Sequence, residues 1–590
     1  MMSLEDLGLI GNCQYAALVE RTGDVVWCCM PRFDSDPVFS RLLDESGGGR
    51  FCIGPPHSQV GRQSYVENTN VLCTTFGTDT GSFRVIDFAP RFGQVEGVFH
   101  PKQLHRIVEP LDGTPMVRVR FEPRLGWTSS PATLVQGARH LRLEGYSSPA
   151  WLETDLHLPD VVAQRPFPLT ERKHLVLTWG TPIEEPLAAL CDRYLQATVR
   201  YWQTWVKHTN IPPLWQQETI RSALALKLHC FEDTGAIVAA MTTSIPESPG
   251  VGRTWDYRYC WLRDAAYVLA ALRQLGHFEE RDHFVRYLLN IVGDTTDFHF
   301  SPLYRVDGTS DLDEHIVEGW PGFANDGPVR VGNGAAVHTQ NDVFGELVLA
   351  LSPLYLDHRF ADERTKESLD LLDRLAEKAV TVVGQPDAGI WEYRTEWKPQ
   401  TFSTLMCWAA ANRMATITAR HAPSRRARFE DAAARIRDLL VSEAWSDALG
   451  SFAGTHGGHE LDAALLQMAP LRVLPANDPK IVGTVQAINA ALSREGWLYR
   501  YSLDDGFGHP SVAFVLCTFW MIEALATMGR AKESRELMER VLGAMSPLGL
   551  LAEDYEPASR RMWGNFPQAY SHAGLIHGAF AASPRWFDLV

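Results

Sequence analysis

Two glutamates stand in loops whose composition is unusual for turns. Glu392 belongs to the segment GIWEYR at 389–394, where two aromatic residues and an arginine surround it. Glu553 belongs to LLAEDYE at 550–556, next to a second acid and a tyrosine. Turns normally use Gly, Pro, Asn, Asp and Ser, and an exposed indole costs apolar surface unless something docks on it. Two carboxylates among aromatic rings suit general acid–base catalysis, in which one donates a proton and the other accepts one from water.

Helices must position these loops, because the second part of the chain has helical periodicity. From Glu185 on, apolar residues recur at spacings of three and four, beginning with Leu187, Leu190 and Tyr194, which predicts a helix that bridges the two halves of the chain. Twelve further helices are predicted at about 214–232, 264–275, 279–293, 339–352, 361–383, 401–420, 424–444, 459–468, 478–493, 511–528, 531–545 and 567–581.

The loops between those helices alternate in kind. Loops after even-numbered helices are short and polar, such as GHFEE and GRAKES, whereas loops after odd-numbered helices are long and rich in Trp, Tyr, Arg and acids. The loop RTWDYRYCWLRD, after the first helix, contains Trp255, a candidate substrate contact. Helices that alternate up and down place all the odd loops at one end, and six helical hairpins can close into a ring. In such a ring the loops that carry Glu392 and Glu553 lie opposite each other.

The first 183 residues show a pattern of strands and turns instead. Hairpin turns are predicted at 22–24, 78–82 and 111–114, each between two apolar runs. No convincing helix interrupts this part, which favours a large antiparallel sandwich. The predicted fold class is therefore multidomain β + α, with an N-terminal antiparallel β-sandwich followed by an (α/α)6 barrel. The predicted domains are a β-sandwich at 1–183, a linker helix at 184–213 and a catalytic α/α barrel of six helical hairpins at 214–590.

The composition excludes several classes of function. Of the 590 residues 45% are hydrophobic and 21% are charged, as in ordinary globular proteins. The formal net charge is -16 and no run of Lys or Arg stands out, which argues against a nucleic-acid partner. The N-terminus lacks the features of a signal peptide and no apolar run could span a bilayer, so we expect a cytoplasmic protein without a membrane partner. Ten scattered cysteines without a Cys-x-x-Cys pair predict reduced thiols, no metal site and no cofactor.

Opposed carboxylates over an aromatic-lined cavity suit cleavage of a glycosidic bond. A separation of roughly 6.5–9.5 Å leaves room for a water molecule and predicts inversion at the anomeric carbon. Trp and Tyr supply flat faces for pyranose rings, while Arg and Asp form hydrogen bonds with hydroxyls. Each residue alone has a simpler explanation, since a lone loop glutamate is usually solvated and Asp504–Gly506 fits a plain turn better than a calcium site. The repeated return of these residue types to one end of the ring favours the catalytic interpretation.

Several segments together resemble glycoside hydrolase family 15, which holds glucoamylases, glucodextranases and bacterial and archaeal trehalases. The segment IGNCQYAALVERTGDVVWCCMPRFDSDPVFSRLL resembles that of prokaryotic members with a β-sandwich before the barrel. In the second part WLRDAAY, NDGP, GIWE, LYRYSLDDGF and LAED…GNFPQAYSH stand in the family's order. The resemblance covers nearly the whole chain.

The resemblance implies roles for the two glutamates. Glu392, in GIWE, matches the general acid, and Glu553, in LLAED, matches the general base. Asp554 stands where relatives often carry Glu or Gln, so it is the second candidate for the base. His572, in YSH, either touches the base or packs on the last helix, and the sequence leaves both interpretations open.

The resemblance also implies a set of substrate-binding residues. Arg263 and Asp264, in WLRD, match the pair that holds hydroxyls of the terminal glucose. Trp320 matches a tryptophan that packs over the same subsite, and Arg500, in LYRY, resembles an arginine on the other side of that ring. Trp391 is expected to line the cavity beside the acid.

Three functions remain open at this stage. The first is an inverting, exo-acting α-glucoside hydrolase that releases β-D-glucose from the non-reducing end of malto- or isomalto-oligosaccharides, trehalose or other glucobioses. The second is an inverting α-glucoside phosphorylase, which would need a phosphate-binding loop where LLAEDYE stands. The third is a catalytically inactive carbohydrate-binding protein. The leaving group is expected to contact loops such as SFAGTHGGHE and ASRRMWGN, and the sandwich leaves surface for a homodimer.

Overall fold

The computed structural model describes residues 2–293, 298, 300–394 and 396–588. Strands dominate up to Trp179 and helices dominate from Leu187 on. A pair of antiparallel sheets precedes a closed ring of helices, which confirms the predicted fold class.

Two sheets form the N-terminal sandwich, and all their neighbouring strands are antiparallel. The first sheet has the strands Leu7–Gly11, Ala16–Glu20, Asp24–Cys29, Arg50–Gly54, Met116–Glu122 and Phe167–Pro168 in spatial order, with Pro37–Phe39 paired to the third. The second sheet has the order Thr133–Gln136, His140–Glu144, Ala150–Thr154, Lys173–Trp179, Gln103–Gly113, Gly81–Phe88, Leu72–Thr78 and Arg62–Tyr65. Their facing apolar side chains form one core.

Two of the three predicted hairpins are present and the third is wrong. The turns at 22–24 and 78–82 join neighbouring strands of one sheet, and Gly23 has a φ of +78° that suits glycine. The turn at 111–114 instead carries the chain from the second sheet to the first. The strand after it buries every second residue, which places its apolar face against the facing sheet. A turn between two apolar runs looks the same in the sequence whether it joins neighbouring strands or opposite sheets.

Arg106 links the two sheets through their interior. Its guanidinium donates to the Asp87 carboxylate on the neighbouring strand, with distances of 2.7 Å and 3.2 Å. It also donates to backbone carbonyls of the other sheet, at Gly23 (2.8 Å) and Phe51. Both charged side chains are fully buried, so this pair depends on its complete set of partners to offset the cost of desolvation.

The helix α1, Leu187–Lys207, connects the sandwich to the ring. Its first half packs Leu190 and Cys191 against the second sheet, whereas Trp202 and Val206 pack into the core of the helical part. The buried residues follow the helical period because only one face of this helix contacts protein.

In the portion that the structure describes, the helical part contains twelve main helices in six pairs, besides the one-turn helix Pro353–Leu356. They are α2 Gln216–His229, α3 Leu262–Gln274, α4 Glu279–Gly293, α5 Asp342–Leu351, α6 Lys366–Thr381, α7 Thr401–His421, α8 Arg426–Leu439, α9 (Ala463–Gln467 continued by Met468–Leu471), α10 Pro479–Leu492, α11 Val515–Thr527, α12 Ala531–Leu542 and α13 Ala569–Ala582.

These helices form an inner and an outer ring. The inner helices α3, α5, α7, α9, α11 and α13 each pack against the next, and α13 packs against α3 to close the ring. The inner helices α11 and α13 are buried along most of their length, whereas the outer helix α12 buries one stripe. All six inner helices begin at the end that carries the long loops, so their amino termini face the same space.

Several helices begin later than predicted because capping residues fix their starts. The fifth was predicted from 361 but starts at Lys366, where the side chain of Thr365 accepts a hydrogen bond from the backbone of Ser368. The eighth was predicted at 459–468. Its first part is a 3-10 turn that begins after Asp462, whose carboxylate caps the backbone N–H of Ala464.

Candidate active site

A cavity opens at the end of the ring where the inner helices begin. The space between its lining atoms is about 830 Å³, including the part open to solvent. Five of the six long loops contribute residues to its lining. Seven of the eight residues predicted to be functional are among them: Glu392, Glu553, Arg263, Asp264, Trp391, Arg500 and Trp255.

Glu392 sits in a tight turn between α6 and α7. Its backbone N–H donates to the carbonyl of Gly389 at 3.1 Å, and its φ of +59° is uncommon for a residue with a side chain. Trp261 (2.6 Å), Arg263 (3.3 Å) and Gln340 (3.4 Å) donate to one carboxyl oxygen, Oε1. Because three donors converge on Oε1, the other oxygen is the one suited to carry a proton toward a bound substrate.

Glu553 occupies a more enclosed position in the loop before α13. Its Oε1 accepts from the hydroxyl of Tyr257 at 2.8 Å and its Oε2 from the backbone N–H of Asn565 at 3.3 Å. Only 1% of the residue is exposed. Burial, followed by the negative charge of Glu247, raises the pKa of Glu553 to about 8 against the opposing effect of Arg500. A carboxyl group whose pKa lies near neutral pH can exchange a proton during catalysis.

Asp554, the second candidate for the base, points elsewhere. It is fully buried, and neither of its carboxyl oxygens has a hydrogen-bond partner among the described residues. Burial and the charge of Glu553 raise its pKa well above the usual range. Of the two adjacent acids, Glu553 alone lines the cavity within the described part of the chain.

Arg263 and Asp264 stand at the start of α3, where their side chains reach the floor of the cavity. The guanidinium of Arg263 donates to Asp264 (3.3 Å), to the hydroxyl of Tyr570 (3.0 Å) and to the backbone carbonyl of Ile390 (2.9 Å). Since Ile390 lies two residues before Glu392, Arg263 holds the turn as well as the carboxylate of the candidate acid. Burial raises the pKa of Asp264 to about 6, and Arg263 opposes that rise.

Glu247 is a site residue that the sequence analysis missed. It is 4% exposed and lines the cavity, where its Oε1 accepts from the indole of Trp255 at 3.0 Å and its Oε2 from Arg500. Arg253 lies 3.6 Å away and forms a two-point ion pair with Asp505 at 2.6 Å and 2.9 Å. A single glutamate in a loop carries no signal by itself, and only its place in the first long loop could have indicated this role.

The aromatic residues around Glu392 are held in fixed orientations. The indole N–H of Trp391 donates to both carboxylate oxygens of Asp462 at 2.9 Å and 3.0 Å. Its ring packs against Tyr501 and Phe514. Arg394 lies over the ring of Trp255, with 4.2 Å between its guanidinium carbon and the ring centroid. The composition of GIWEYR therefore reflects a cavity wall and not an exposed turn.

Two predicted residues lie away from this cavity. Trp320 is not among the described residues that line it; its indole N–H donates to the carbonyl of Trp127 at 3.1 Å, and the two rings pack together. Trp127 comes from the sandwich, so this tryptophan joins the domains, which a linear motif cannot reveal. His572 accepts from the backbone N–H of Leu551 (3.2 Å) and contacts Ser222 (3.0 Å). It packs behind the loop of the base.

The two loops expected to contact the leaving group also lie elsewhere. Neither SFAGTHGGHE nor ASRRMWGN contributes to the lining among the described residues. The first instead bonds to the start of α7, where Thr401 N–H donates to the carbonyl of Gly454 at 2.9 Å. In the described part of the chain no cluster of His, Cys, Asp or Glu has the arrangement of a metal site. No described helix is both long and apolar enough to cross a membrane.

Two family models match this chain, one in each of its two parts. The model for glycosyl hydrolases family 15 matches residues 216–580, which include all the lining residues, and the model for trehalase-like N-terminal domains matches residues 1–157. The chain belongs to glycosyl hydrolases family 15. As a family 15 protein with curated hydrolase relatives, it is a glycoside hydrolase.

Individual relatives cover nearly the whole chain. A trehalase of Thermoplasma volcanium is 33% identical over 600 aligned residues, which cover 97% of this chain and 92% of that protein. A trehalase of Mycobacterium tuberculosis is 32% identical and covers 97% of this chain and 88% of that protein. Among solved structures, a bacterial glucoamylase complexed with acarbose superposes with a TM-score of 0.69 at 13% identity, covering 98% and 94% of the two chains. That similarity shows the shared family 15 fold.

Asp264 provides a test of the cavity floor in this family 15 hydrolase. Asp264→Ala removes a carboxyl that lies 3.3 Å from Arg263 and leaves that buried guanidinium with fewer partners. Hydrogen bonds to charged groups contribute about 1.5–3 kcal/mol, so we expect kcat/KM to fall by roughly 10–100-fold. Steady-state kinetics checks this against Asp311→Ala, a solvent-exposed control. Near-normal kinetics of Asp264→Ala would mean that the pair has only a structural role.

Proposed function

We propose that this family 15 hydrolase cleaves trehalose by a single displacement that inverts the anomeric carbon. Glu392 protonates the bridging oxygen, and Glu553 deprotonates a water molecule that attacks the terminal glucose. The observation that carries the proposal is that these two glutamates, from loops far apart in the sequence, line one cavity. An exo-acting enzyme of this kind releases β-D-glucose from a non-reducing end.

The contacts around each glutamate support this division of roles. The donors on Glu392 leave one oxygen suited to hold a proton, and Arg263 nearby orients the group. Glu553 accepts a hydrogen bond from the hydroxyl of Tyr257. Arg500 lies close enough to oppose the rise in the pKa of Glu553. A site with a donor on one wall and an acceptor on the other matches hydrolysis through an enzyme-bound water.

The proposed position of the terminal glucose is the floor formed by Arg263, Asp264 and Tyr570. These side chains present charged and hydroxyl groups that can form hydrogen bonds with sugar hydroxyls. Trp391 stands beside this floor and offers a ring face to a pyranose. These buried side chains select a sugar whose hydroxyls form a hydrogen bond with each of their polar groups, because a buried polar group without a partner is costly in free energy.

A second group of side chains in the cavity supports a small polar leaving group. The ion pair of Arg253 with Asp505 and the carboxylate of Glu247 belong to this group, with Trp255 and Phe507 alongside. Such a wall offers both hydrogen bonds and aromatic ring faces to a second glucose. The alignment with trehalases along nearly the whole chain supports trehalose, which has an α,α-1,1 linkage, as the substrate over other glucobioses.

The proposal is tested by a substrate panel with product analysis. Trehalose, kojibiose, nigerose, maltose and isomaltose are supplied one at a time, with and without inorganic phosphate, and the products are separated by ion chromatography. We expect trehalose to have the highest kcat/KM and to give two molecules of glucose in either buffer. Glucose 1-phosphate among the products would identify a phosphorylase. A preference for maltose would identify a glucoamylase, and no product from any sugar would identify an inactive binding protein.

A further inference from the structure

A second cavity opens at the opposite end of the ring, where the inner helices end. The space between its lining atoms is about 1670 Å³, including the part open to solvent, which is larger than the catalytic cavity. Arg263, Ile390 and Tyr570 line both cavities and form a thin partition between them. The cavity thus runs from the far mouth of the ring to the underside of the catalytic floor.

Most of the surface inside this cavity is aliphatic or aromatic carbon. Its walls come mainly from the inner helices and include Leu269, Leu349, Met406 and Leu471. A sugar would leave most of its hydroxyls without partners against such a wall, which is costly. An alkyl chain would bury apolar surface there and gain about 25 cal/mol per Å² removed from water.

Two arginines stand near the mouth without a carboxylate in contact. Arg413 projects from α7 and donates to the side chain of Asn412 at 2.9 Å, and no ion pair within 4.0 Å links it to a described carboxylate. Arg273 projects from the last turn of α3 and likewise forms no such ion pair in the described part of the chain, although the charge of Asp357 partly opposes the lowering of its pKa by burial. Burial, with the nearby charges of Arg273 and Arg472, lowers the pKa of Arg413. The charge of Arg273 therefore acts on Arg413 across the mouth of the cavity.

The other charged groups at the mouth are already paired. Asp357 is bound by Arg359 at 2.6 Å, and Arg281 forms ion pairs with Asp282 and Glu363. His277 stacks on Trp205 and has a pKa lowered to about 4 by burial, so it is neutral. The partial negative charge at the carboxyl end of α7 does not compensate the charge of Arg413. Arg413 lies eight residues before the end of that helix, and the effect is confined to the last turn.

We propose that this lower cavity binds an amphipathic anion with a carboxylate head and an aliphatic chain. The carboxylate lies between Arg273 and Arg413, and the chain extends toward the partition. Ten residues of α3 separate Arg273 from Arg263, which corresponds to about 15 Å at 1.5 Å per residue. A medium-chain fatty acid fits this depth, and its far end would contact the residues that hold Glu392. Binding of the anion at this site does not depend on which sugar the enzyme cleaves.

Calorimetric titration with three probes separates the contributions of head and chain. Octanoate carries both, acetate carries only the head, and 1-octanol carries only the chain. We expect octanoate to bind at least tenfold more tightly than either of the other probes. Arg273→Gln and Arg413→Gln should each weaken octanoate at least tenfold without changing 1-octanol, while Arg413→Lys retains the charge and most of the affinity. Arg435→Gln, at an exposed arginine of α8, is the matched control and should leave the affinity unchanged.

Three results would overturn the proposal. Equal affinity for octanoate and 1-octanol would show an apolar cavity without anion recognition. Equal affinity for octanoate and acetate would show a simple electrostatic contact at the mouth. Competition between octanoate and trehalose for the inactive Glu392→Gln protein would place octanoate in the catalytic cavity. Thermal unfolding of each variant, compared with the unchanged protein, verifies that a loss of binding is not a loss of folding.

Discussion

Glu392→Gln is expected to lower the turnover of trehalose by about 10²–10⁴-fold, because glutamine keeps the shape of the side chain and has no acidic proton to donate. The donors Trp261 and Arg263 can still bond to the remaining carbonyl oxygen, so the turn between α6 and α7 should keep its conformation. An α-glucosyl fluoride needs little protonation of its leaving group. Its hydrolysis should therefore lose much less activity than that of trehalose, and parallel measurement of both substrates reveals the difference.

Glu396→Gln serves as the control for this experiment, since Glu396 lies exposed in the same loop. It should retain normal activity on both substrates. If Glu392→Gln reduced the hydrolysis of trehalose and of the fluoride by the same factor, its role would be to position substrate and not to donate a proton. A similar loss in Glu396→Gln would point to the conformation of the loop and not to acid catalysis.

Much of the fold could be predicted because its signals are local and repeated. Each helix has its own period of apolar residues, and the alternation of short and long loops indicates which end of the ring is functional. The third hairpin could not be predicted in the same way. The turn at 111–114 has the same local pattern as the others, and only the match between its following strand and the opposite sheet decides the pairing.

The candidate site also contains residues that the sequence predicts and residues that only the contacts reveal. Glu392, Glu553, Arg263 and Arg500 stand in segments that resemble a family pattern, and the structure brings them to one cavity. Glu247 has no such pattern, because its importance comes from contacts with Trp255, eight residues further along the same loop, and with Arg500 on another loop. Trp320 shows the opposite case. Its place in a motif predicted a subsite, but an indole can equally fill a gap between two domains.

Early product from trehalose hydrolysis is expected to contain β-glucose, formed at the carbon that is attacked. Trehalose gives two glucose molecules, and the leaving one keeps its α configuration because its own anomeric bond to oxygen is not broken. Inversion therefore predicts equal amounts of α- and β-glucose at the first time points, whereas retention predicts α-glucose alone. Proton NMR of a fresh digest distinguishes these outcomes before mutarotation equilibrates the anomers. An α-glucosyl fluoride, which yields a single glucose, should give β-glucose only.

Replacing the base connects this stereochemistry to Glu553. Glu553→Ala should lower turnover by about 10²–10⁴-fold, because no other group takes the proton from the attacking water. Added azide needs no deprotonation and can enter the vacated space, so the glucosyl fluoride should be converted to β-glucosyl azide. The matched variant is Asp554→Asn, which keeps a neutral group of the same shape in a buried position that does not face the cavity. If Asp554→Asn lost activity to this extent while Glu553→Ala did not, the base would be Asp554, and the assignment of these adjacent acids would have to be exchanged.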